Sequence, residues 1–293
     1  MSDTFKGIGA MVLACTVWGV SALYYKLLDD VPPLELLSHR TLWSLVFFLV
    51  ILLVQGRIGV WIAVMSDRGN FRRMAIASLL IAANWFLFIF SIQIDQAMQA
   101  SLGYYIFPLL SVLFGLVFFN ETLKPVQWIA IGCAAAGVCV LVIAQGQVPW
   151  FALAIASSFG LYGVAKKGLE VGPVLSVTTE VLILAPVAAA ILVWAGITGQ
   201  AHFNTGVQTT ALLIASGPLT AVPLILFSYA TKRVHLSTVG VLQYLNPTLQ
   251  FGCAVFILAE PFGRVQMYVF SMIWIAVALY SWGALRGSRG YVR

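Results

Sequence analysis

Residues 125–165 read PVQWIAIGCAAAGVCVLVIAQGQVPWFALAIASSFGLYGVA, 41 consecutive positions without Asp, Glu, Lys or Arg. Lys124 and Lys166 bracket the run, and the turn-forming string Gln145-Gly146-Gln147-Val148-Pro149 divides it. A helix needs about 20 apolar residues to cross the hydrocarbon core of a bilayer, so this run predicts two spans joined by a tight reversal. The same measure repeats outward along the chain. Lys6 to Lys26 encloses 19 uncharged residues, Arg73 to Asp95 21, Asp95 to Glu121 25, Arg233 to Glu260 26 and Arg264 to Arg286 21. Glu180 to Lys232 encloses 51, two more spans broken between Gly196 and Asn204, and one further apolar run near 34–54 contains Arg40. Ten helices result, near 7–28, 34–54, 72–92, 97–119, 125–144, 149–167, 174–195, 209–230, 237–258 and 263–284.

Composition agrees. Of 293 residues 61% are hydrophobic and 9% charged, against about 25% charged in soluble domains, and the mean hydropathy is +0.98. A soluble enzyme, a disordered chain and a coiled coil are excluded. So is an outer-membrane barrel, whose alternating strands keep the mean hydropathy low. An all-α polytopic membrane protein remains, because helices satisfy their own backbone groups inside lipid.

Lys and Arg resist translocation, so they mark the cytoplasmic side. With the N-terminus inside, 13 of the 16 basic residues fall in cytoplasmic segments: Lys6, Arg57, Arg68, Arg72, Arg73, Lys124, Lys166, Lys167, Lys232, Arg233, Arg286, Arg289 and Arg293. Lys26 and Arg264 flank outer loops, and Arg40 lies within a span. Both termini are therefore expected in the cytoplasm. The net charge of +6 follows from this topology, and no nucleic-acid partner is expected from basic residues scattered over short loops. The first apolar run is longer than a signal-peptide core and no small-x-small cleavage site follows it, so a cleavable signal is not expected. Cys15, Cys133, Cys139 and Cys253 all fall in predicted spans without metal-ligand spacing, and read as packing residues.

The chain also repeats itself. Trp18-Gly19 precedes Lys26 by seven residues, and Phe159-Gly160 precedes Lys167 likewise, an offset of 141 that also carries Pro32 onto Pro173 and His39 onto Glu180. Tyr105, Pro108 and Glu121 match Tyr244, Pro247 and Glu260 at an offset of 139. Residues 1–145 and 146–293 thus read as two five-helix units. Five is odd, so the second unit enters the membrane in the opposite sense. Inverted repeats are a plan of secondary transporters, which place the substrate site between the repeats near the midplane.

These residues resemble the drug/metabolite transporter superfamily, and within it EamA-domain transporters of the RarD subfamily. The resemblance covers nearly the entire chain. Its most specific parts are Glu35 with His39-Arg40 and Trp43-Ser44, Asn84-Trp85, and Ala100-Ser101-Leu102-Gly103-Tyr104-Tyr105 with Pro108-Leu109. In the second half they are Ser158 to Gly163, Thr179-Glu180, Gly240 to Tyr244 with Asn246-Pro247-Thr248, and Ile273-Trp274. It implies a ten-helix bacterial inner-membrane transporter with two EamA repeats, acting on small organic solutes, drugs among them.

A charge at bilayer depth is expensive and faces the bundle interior or a cavity. Arg40 sits about six residues into the second span. Either it pairs with a carboxylate or a helix C-terminus to lock helices together, or it clamps a substrate anion. Glu180, its counterpart in the seventh span, pairs with Arg40 or a Lys, binds a cationic substrate or carries a coupling proton. His39 titrates near neutrality and is the other proton-coupling candidate. Pro108 and Pro247 lie in the fourth and ninth spans, where a proline frees a carbonyl and permits a bend, so they are candidate hinges. Gln99, Tyr104, Tyr105, Gln243, Tyr244 and Asn246 cluster around them as candidate substrate ligands. Trp18, Tyr24, Asn84, Trp85, Tyr162 and Tyr229 extend the set. Aromatic faces beside uncharged polar groups suit a small solute with an apolar body, and also hold ammonium groups; an amino acid, an amine or a quaternary ammonium fits. Glu121 and Glu260 read as carboxylates at helix N-termini. The run Gly132 to Gly137 permits close helix packing, within a monomer or across a homodimer.

No G-x-x-x-x-G-K-[ST] motif is present for direct ATP drive, no H-E-x-x-H or Cys cluster supports a membrane enzyme, and no cofactor is implied. A secondary transporter is the leading expectation. A channel-like facilitator or a membrane scaffold are the alternatives.

Overall fold

The computed structural model describes residues 3–120, 125–167, 169–234, 239 and 241–288. Glu121, Lys124, His235, Gly240, Arg289 and Arg293 lie outside them, and with them the expectations placed on these positions. The described chain is helical: α1 (Asp3–Lys26), α2 (Pro33–Val54), α3 (Ile58–Ser66), α4 (Arg68–Gln93), α5 (Ala97–Phe119), α6 (Pro125–Gln145), α7 (Trp150–Lys166), α8 (Pro173–Ile197), α9 (Val207–Thr231), α10 (Leu245–Gly252) and α11 (Arg264–Ser288). Eight of these are long and apolar enough to cross a membrane. The apolar helix α7 and the segment Leu245–Ile257 are shorter.

Local chemistry sets the ends. Pro33 and Pro173 stand in the first turns of α2 and α8, where a missing N–H costs nothing and the fixed φ suits a helix. The Asp67 side chain accepts the Asn70 N–H at 2.7 Å and caps α4. Asn120 closes α5 at φ 52°, the left-handed conformation that asparagine tolerates. The short α3 was not expected. Its nine residues cannot span a bilayer, and they dock instead, Trp61 Nε1 donating to Thr179 Oγ1 at 2.9 Å.

The ninth expected span is not one continuous helix. Gln243 and Tyr244 form a turn held by short-range bonds, Tyr244 N–H to Val241 O at 3.2 Å and Asn246 N–H to Gln243 O at 3.1 Å. α10 starts after it and runs into a π-helical turn at Cys253–Ile257. Pro247 therefore sits in the first turn of a new helix, its carbonyl accepting from Ser101 Oγ at 2.8 Å. Pro108, by contrast, is internal to α5. Prolines 186, 218 and 223 are internal to α8 and α9.

Packing crosses between the chain halves. α1 lies on α9 and α4 on α7; α1 lies on α10 and α5 on α7; α2 pairs with α8, and α6 with α11. Glycines permit the closest approaches. A methyl added at Gly19 would meet Leu249 Cβ at 2.5 Å, and one at Gly160 would meet Phe114 Cε2 at 2.7 Å. These are the two glycines of the repeated aromatic-Gly pairs. A methyl at Gly217 would meet the Trp43 backbone at 2.5 Å. In α6, Gly137 packs on α11.

The two ends of the bundle differ in charge. One gathers basic residues: Lys167 Nζ lies 3.6 Å from the Phe119 ring centre, and Gly7 packs on Arg233. The other is acidic and cross-linked. Lys26 bonds Asp95 at 2.9 Å and Asp29 at 3.1 Å. The Gln93 amide donates to Leu28 O at 3.0 Å and Val31 O at 2.9 Å. Glu260 accepts from the N–H groups of Ala97 at 2.5 Å and Met98 at 2.8 Å. Glu260 thus caps the N-terminus of α5, from the other half of the chain, rather than that of its own helix α11.

Candidate functional site

A cavity of about 560 Å³ lies between the two halves, lined by α1, α2, α4, α5, α7, α8, α9, α10, α11 and the turn before α10. Its size is that of a small-molecule site. At the deep end Arg40, Asn84, Trp85 and Phe88 are buried; towards the basic end Tyr162, Lys166, Pro173, Gln243 and Tyr280 are only partly covered. The cavity therefore opens towards the basic end. Arg40 is seven residues into α2 from the acidic end, about 10 Å of rise. Above it Tyr25 stands edge-on to Phe88 at 5.9 Å, and the Tyr24 hydroxyl donates to Leu212 O. These close the floor.

Arg40 is the chemical centre of the deep end. Its Nε–H donates to Thr220 Oγ1 at 2.8 Å. Its Cζ lies 4.1 Å from the Trp85 ring centre and 5.7 Å from that of Tyr25, within cation–π range. No described carboxylate is paired with it. Its contacts join α2 to α4 and α9.

Several expected ligands line the cavity with their polar atoms already engaged. Asn84 Nδ2 donates to Ile155 O at 3.0 Å and Ser158 Oγ at 3.2 Å, and its Oδ1 accepts from the Tyr104 hydroxyl at 2.9 Å. Asn84 and Tyr104 thus tie α4, α5 and α7 into one wall. Asn246 Oδ1 accepts from Gln250 Nε2 at 3.1 Å. Trp18, Trp85, Pro108, Gln243, Tyr244 and Pro247 also line the cavity. Tyr244 Oη and Gln250 Oε1 are buried without a hydrogen-bond partner.

At the open end, Lys166 Nζ reaches Glu180 Oε1 at 2.8 Å and the Tyr162 hydroxyl at 2.8 Å. Glu180 is 1% exposed and accepts from Ser176 Oγ at 2.7 Å and from Tyr162 at 3.0 Å. Glu180 lies one layer behind the cavity surface, and Lys166 is its cationic partner.

The remaining expected residues lie away from the cavity. Tyr24 is engaged at the floor. Tyr105 bonds Thr248 Oγ1 at 2.7 Å and stacks on Tyr244 at 6.4 Å, which places it between α5 and α10. Gln99 bonds Gln96 at 2.7 Å. Tyr229 carries the Arg233 guanidinium 3.6 Å from its ring centre. His39 sits at the acidic end, stacked on Phe203 at 5.1 Å with Nε2 3.9 Å from Glu35. Glu35 accepts from the His202 N–H at 2.7 Å and meets its Nδ1 at 2.8 Å, fastening the loop before α9 onto α2. Tyr25, Lys166, Thr220 and Gln250 were not expected at the site. Lys166 was read only as a topology marker, and the spacing of Asn246 and Gln250, four apart on one helix face, was the available sign for Gln250.

Among the described residues no group of His, Cys, Asp and Glu could hold a metal ion. The model of the EamA-like transporter family matches residues 5–143 and again 148–282. The chain belongs to the EamA-like transporter family. Within that family it is of the RarD type, as its relatives show. It is 37% identical to the uncharacterized transporter YojE of Bacillus subtilis (strain 168), over 98% of this chain and 97% of that one. It is 38% identical to Protein RarD of Streptomyces exfoliatus, over 93% and 87%. A solved crystal structure shares the fold, with a TM-score of 0.63 at 21% identity over 96% of this EamA chain and 98% of the other. The chain is a multi-pass bacterial membrane protein, and its relatives point to a transporter rather than an enzyme.

Proposed function

We propose that this chain is a secondary transporter that moves a small organic solute across the bacterial inner membrane by alternating access. One observation carries the reading: a solute-sized cavity lies between the two chain halves, open towards one end of the bundle and sealed at the other. The seal argues against a channel. The basic end is cytoplasmic by the positive-inside rule, so α1 starts inside, ten crossings follow and the cavity faces the cytoplasm.

Residues 1–145 and 146–293 act as two inverted five-helix repeats. The family model matches each half separately, and the packing pattern is unchanged when the halves are exchanged. Two such units can rock about a shared site and expose it to each side in turn. Opening the far side requires release of Glu260 from α5, of Gln93 from the α1–α2 loop, and of His202 from Glu35. Pro108 within α5 and the turn before Pro247 lie where α5 and α10 meet the cavity, and serve as the hinges.

Glu180 is the better placed of the two proton-coupling candidates. Its bond to Lys166 is at the cavity, whereas His39 faces away from it, stacked on Phe203. Of the solutes the aromatic lining suits, amino acids, amines, quaternary ammoniums and drug-like metabolites, those bearing a negative group match Arg40. The test is counterflow into proteoliposomes with a panel of these classes, with and without a pH gradient. Transient accumulation of label above equilibrium is expected. Flux that neither saturates nor shows counterflow denotes a channel and refutes the carrier.

A further inference from the structure

We infer that the cavity takes an organic carboxylate, a monoanion with an apolar, ring-bearing body, seated with its carboxylate on Arg40. This rests on the carrier reading and names its substrate class. Three features of the cavity converge on it.

Arg40 is 7% exposed, and its hydrogen bond to Thr220 uses Nε alone. The two Nη groups present a planar fork of N–H donors, the geometry that accepts a carboxylate in two parallel bonds. The guanidinium lies over the Trp85 and Tyr25 rings. Those ring faces already carry the protein's own cation and are not free for a ligand's ammonium.

The charges near the cavity sum to one positive. Arg40 and Lys166 line it, and Glu180 offsets Lys166 at 2.8 Å. A single negative charge on the solute completes the balance in a site of low dielectric, where an added cation is repelled. A zwitterion brings an ammonium for which no described carboxylate is free. Amino acids are therefore weaker ligands than the same molecules without the amino group.

The rest of the cavity fits a ring, with Phe88, Phe107 and Phe159 in its wall.

The experiment compares ligands that share one body and differ in one group: 3-phenylpropionate, 3-phenylpropanamide, 3-phenylpropylamine and phenylalanine. Binding to the purified full chain in nanodiscs is measured by titration calorimetry and by ligand-induced thermal shift. The carboxylate is expected to bind about tenfold or more tightly than the other three, the worth of a charged hydrogen-bonded pair. Arg40→Lys keeps the charge and loses the fork, and is expected to weaken the carboxylate about tenfold; Arg40→Gln removes the preference. Equal or tighter binding of the amide or the amine overturns the inference, as does failure of all four to bind. So does a carboxylate preference that survives both substitutions. The wild-type series and Arg40→Lys decide the matter if Arg40→Gln does not fold. Counterflow of the same four separates this site from the carrier reading. Carboxylate binding without any counterflow upholds the site and refutes the carrier, and counterflow of the amine alone does the reverse.

Discussion

The guanidinium of Arg40 lies 4.1 Å from the ring centre of Trp85, and the Thr220 hydroxyl holds its Nε at 2.8 Å. Three helices, α2, α4 and α9, thus meet at one buried cation. A cation–π contact is worth about 2 kcal/mol when desolvated. Trp85→Leu is therefore expected to raise the apparent KM for transport about tenfold or more, with less effect on insertion. Thr220→Val, which removes one hydrogen bond, is expected to raise it less. Initial-rate kinetics in proteoliposomes check both, and an unchanged KM in Trp85→Leu would remove Arg40 from the site.

Lys166 and Glu180 are a second pair, with Glu180 buried and Lys166 partly covered, and breaking it from one side costs less than the ~3–5 kcal/mol of a fully buried pair. Glu180→Gln is expected to lower thermal stability by leaving Lys166 without its counter-ion. The double variant Lys166→Met with Glu180→Gln is expected to recover much of it. If Glu180 carries the coupling proton, Glu180→Gln also abolishes the response of flux to a pH gradient, while His39→Gln leaves it intact. A gradient response that persists in Glu180→Gln and vanishes in His39→Gln would reverse the assignment.

Glu260 gives the sealed end a pH dependence. Burial raises its pKa above the ordinary 4.5; the Met98 and Ala97 N–H groups oppose this, Asp95 adds to it and Lys26 offsets it. When the seal opens, the carboxyl returns to water and to its ordinary value. The closed form therefore binds the proton more tightly, and acidification through its raised pKa favours closure. Opening at the acidic end should slow as the external pH is lowered, and Glu260→Gln should flatten that profile. An exchange rate with the same pH profile in wild type and Glu260→Gln would show that another group sets it.

Gly217 approaches Trp43 so closely that an added methyl would meet backbone at 2.5 Å. Gly217→Ala must part α2 from α9, and overpacking of this kind costs about 1–3 kcal/mol. A lowered unfolding temperature in detergent is expected, together with weakened substrate binding, because Arg40 and Thr220 sit on these two helices. Gly132→Ala, where nothing lies within 4 Å, is the control and should leave both unchanged.

The helices were legible because lipid forbids charge, so gaps between charged residues measure spans directly. α3 was not, since the ten residues between Arg57 and Arg68 are too few for that measure, and the contacts of Trp61 with Thr179, Leu52 and Leu175 explain them. Arg40 stood out as a charge inside an apolar run. Its surroundings did not, because Thr220 and Trp85 reach it from distant parts of the chain. Asn84 and Tyr104 illustrate the converse. Their residue types suggest ligands, but their polar atoms serve each other and α7, and a sequence does not say which polar atoms are engaged. The break at Gln243-Tyr244 was hidden for a similar reason: Pro247 marks a disturbance, not whether the helix bends through it or restarts.

Two-sided labelling tests the alternating cavity most directly. In a chain whose four native cysteines are replaced, Ser111→Cys, in the cavity wall, is treated with a membrane-impermeant thiol reagent in inside-out and in right-side-out vesicles. The account predicts rapid labelling from the cytoplasmic face without substrate, and labelling from the outer face that appears only when transported solute drives the cycle. Labelling from the outer face alone, or from both faces at equal rates regardless of solute, would contradict it.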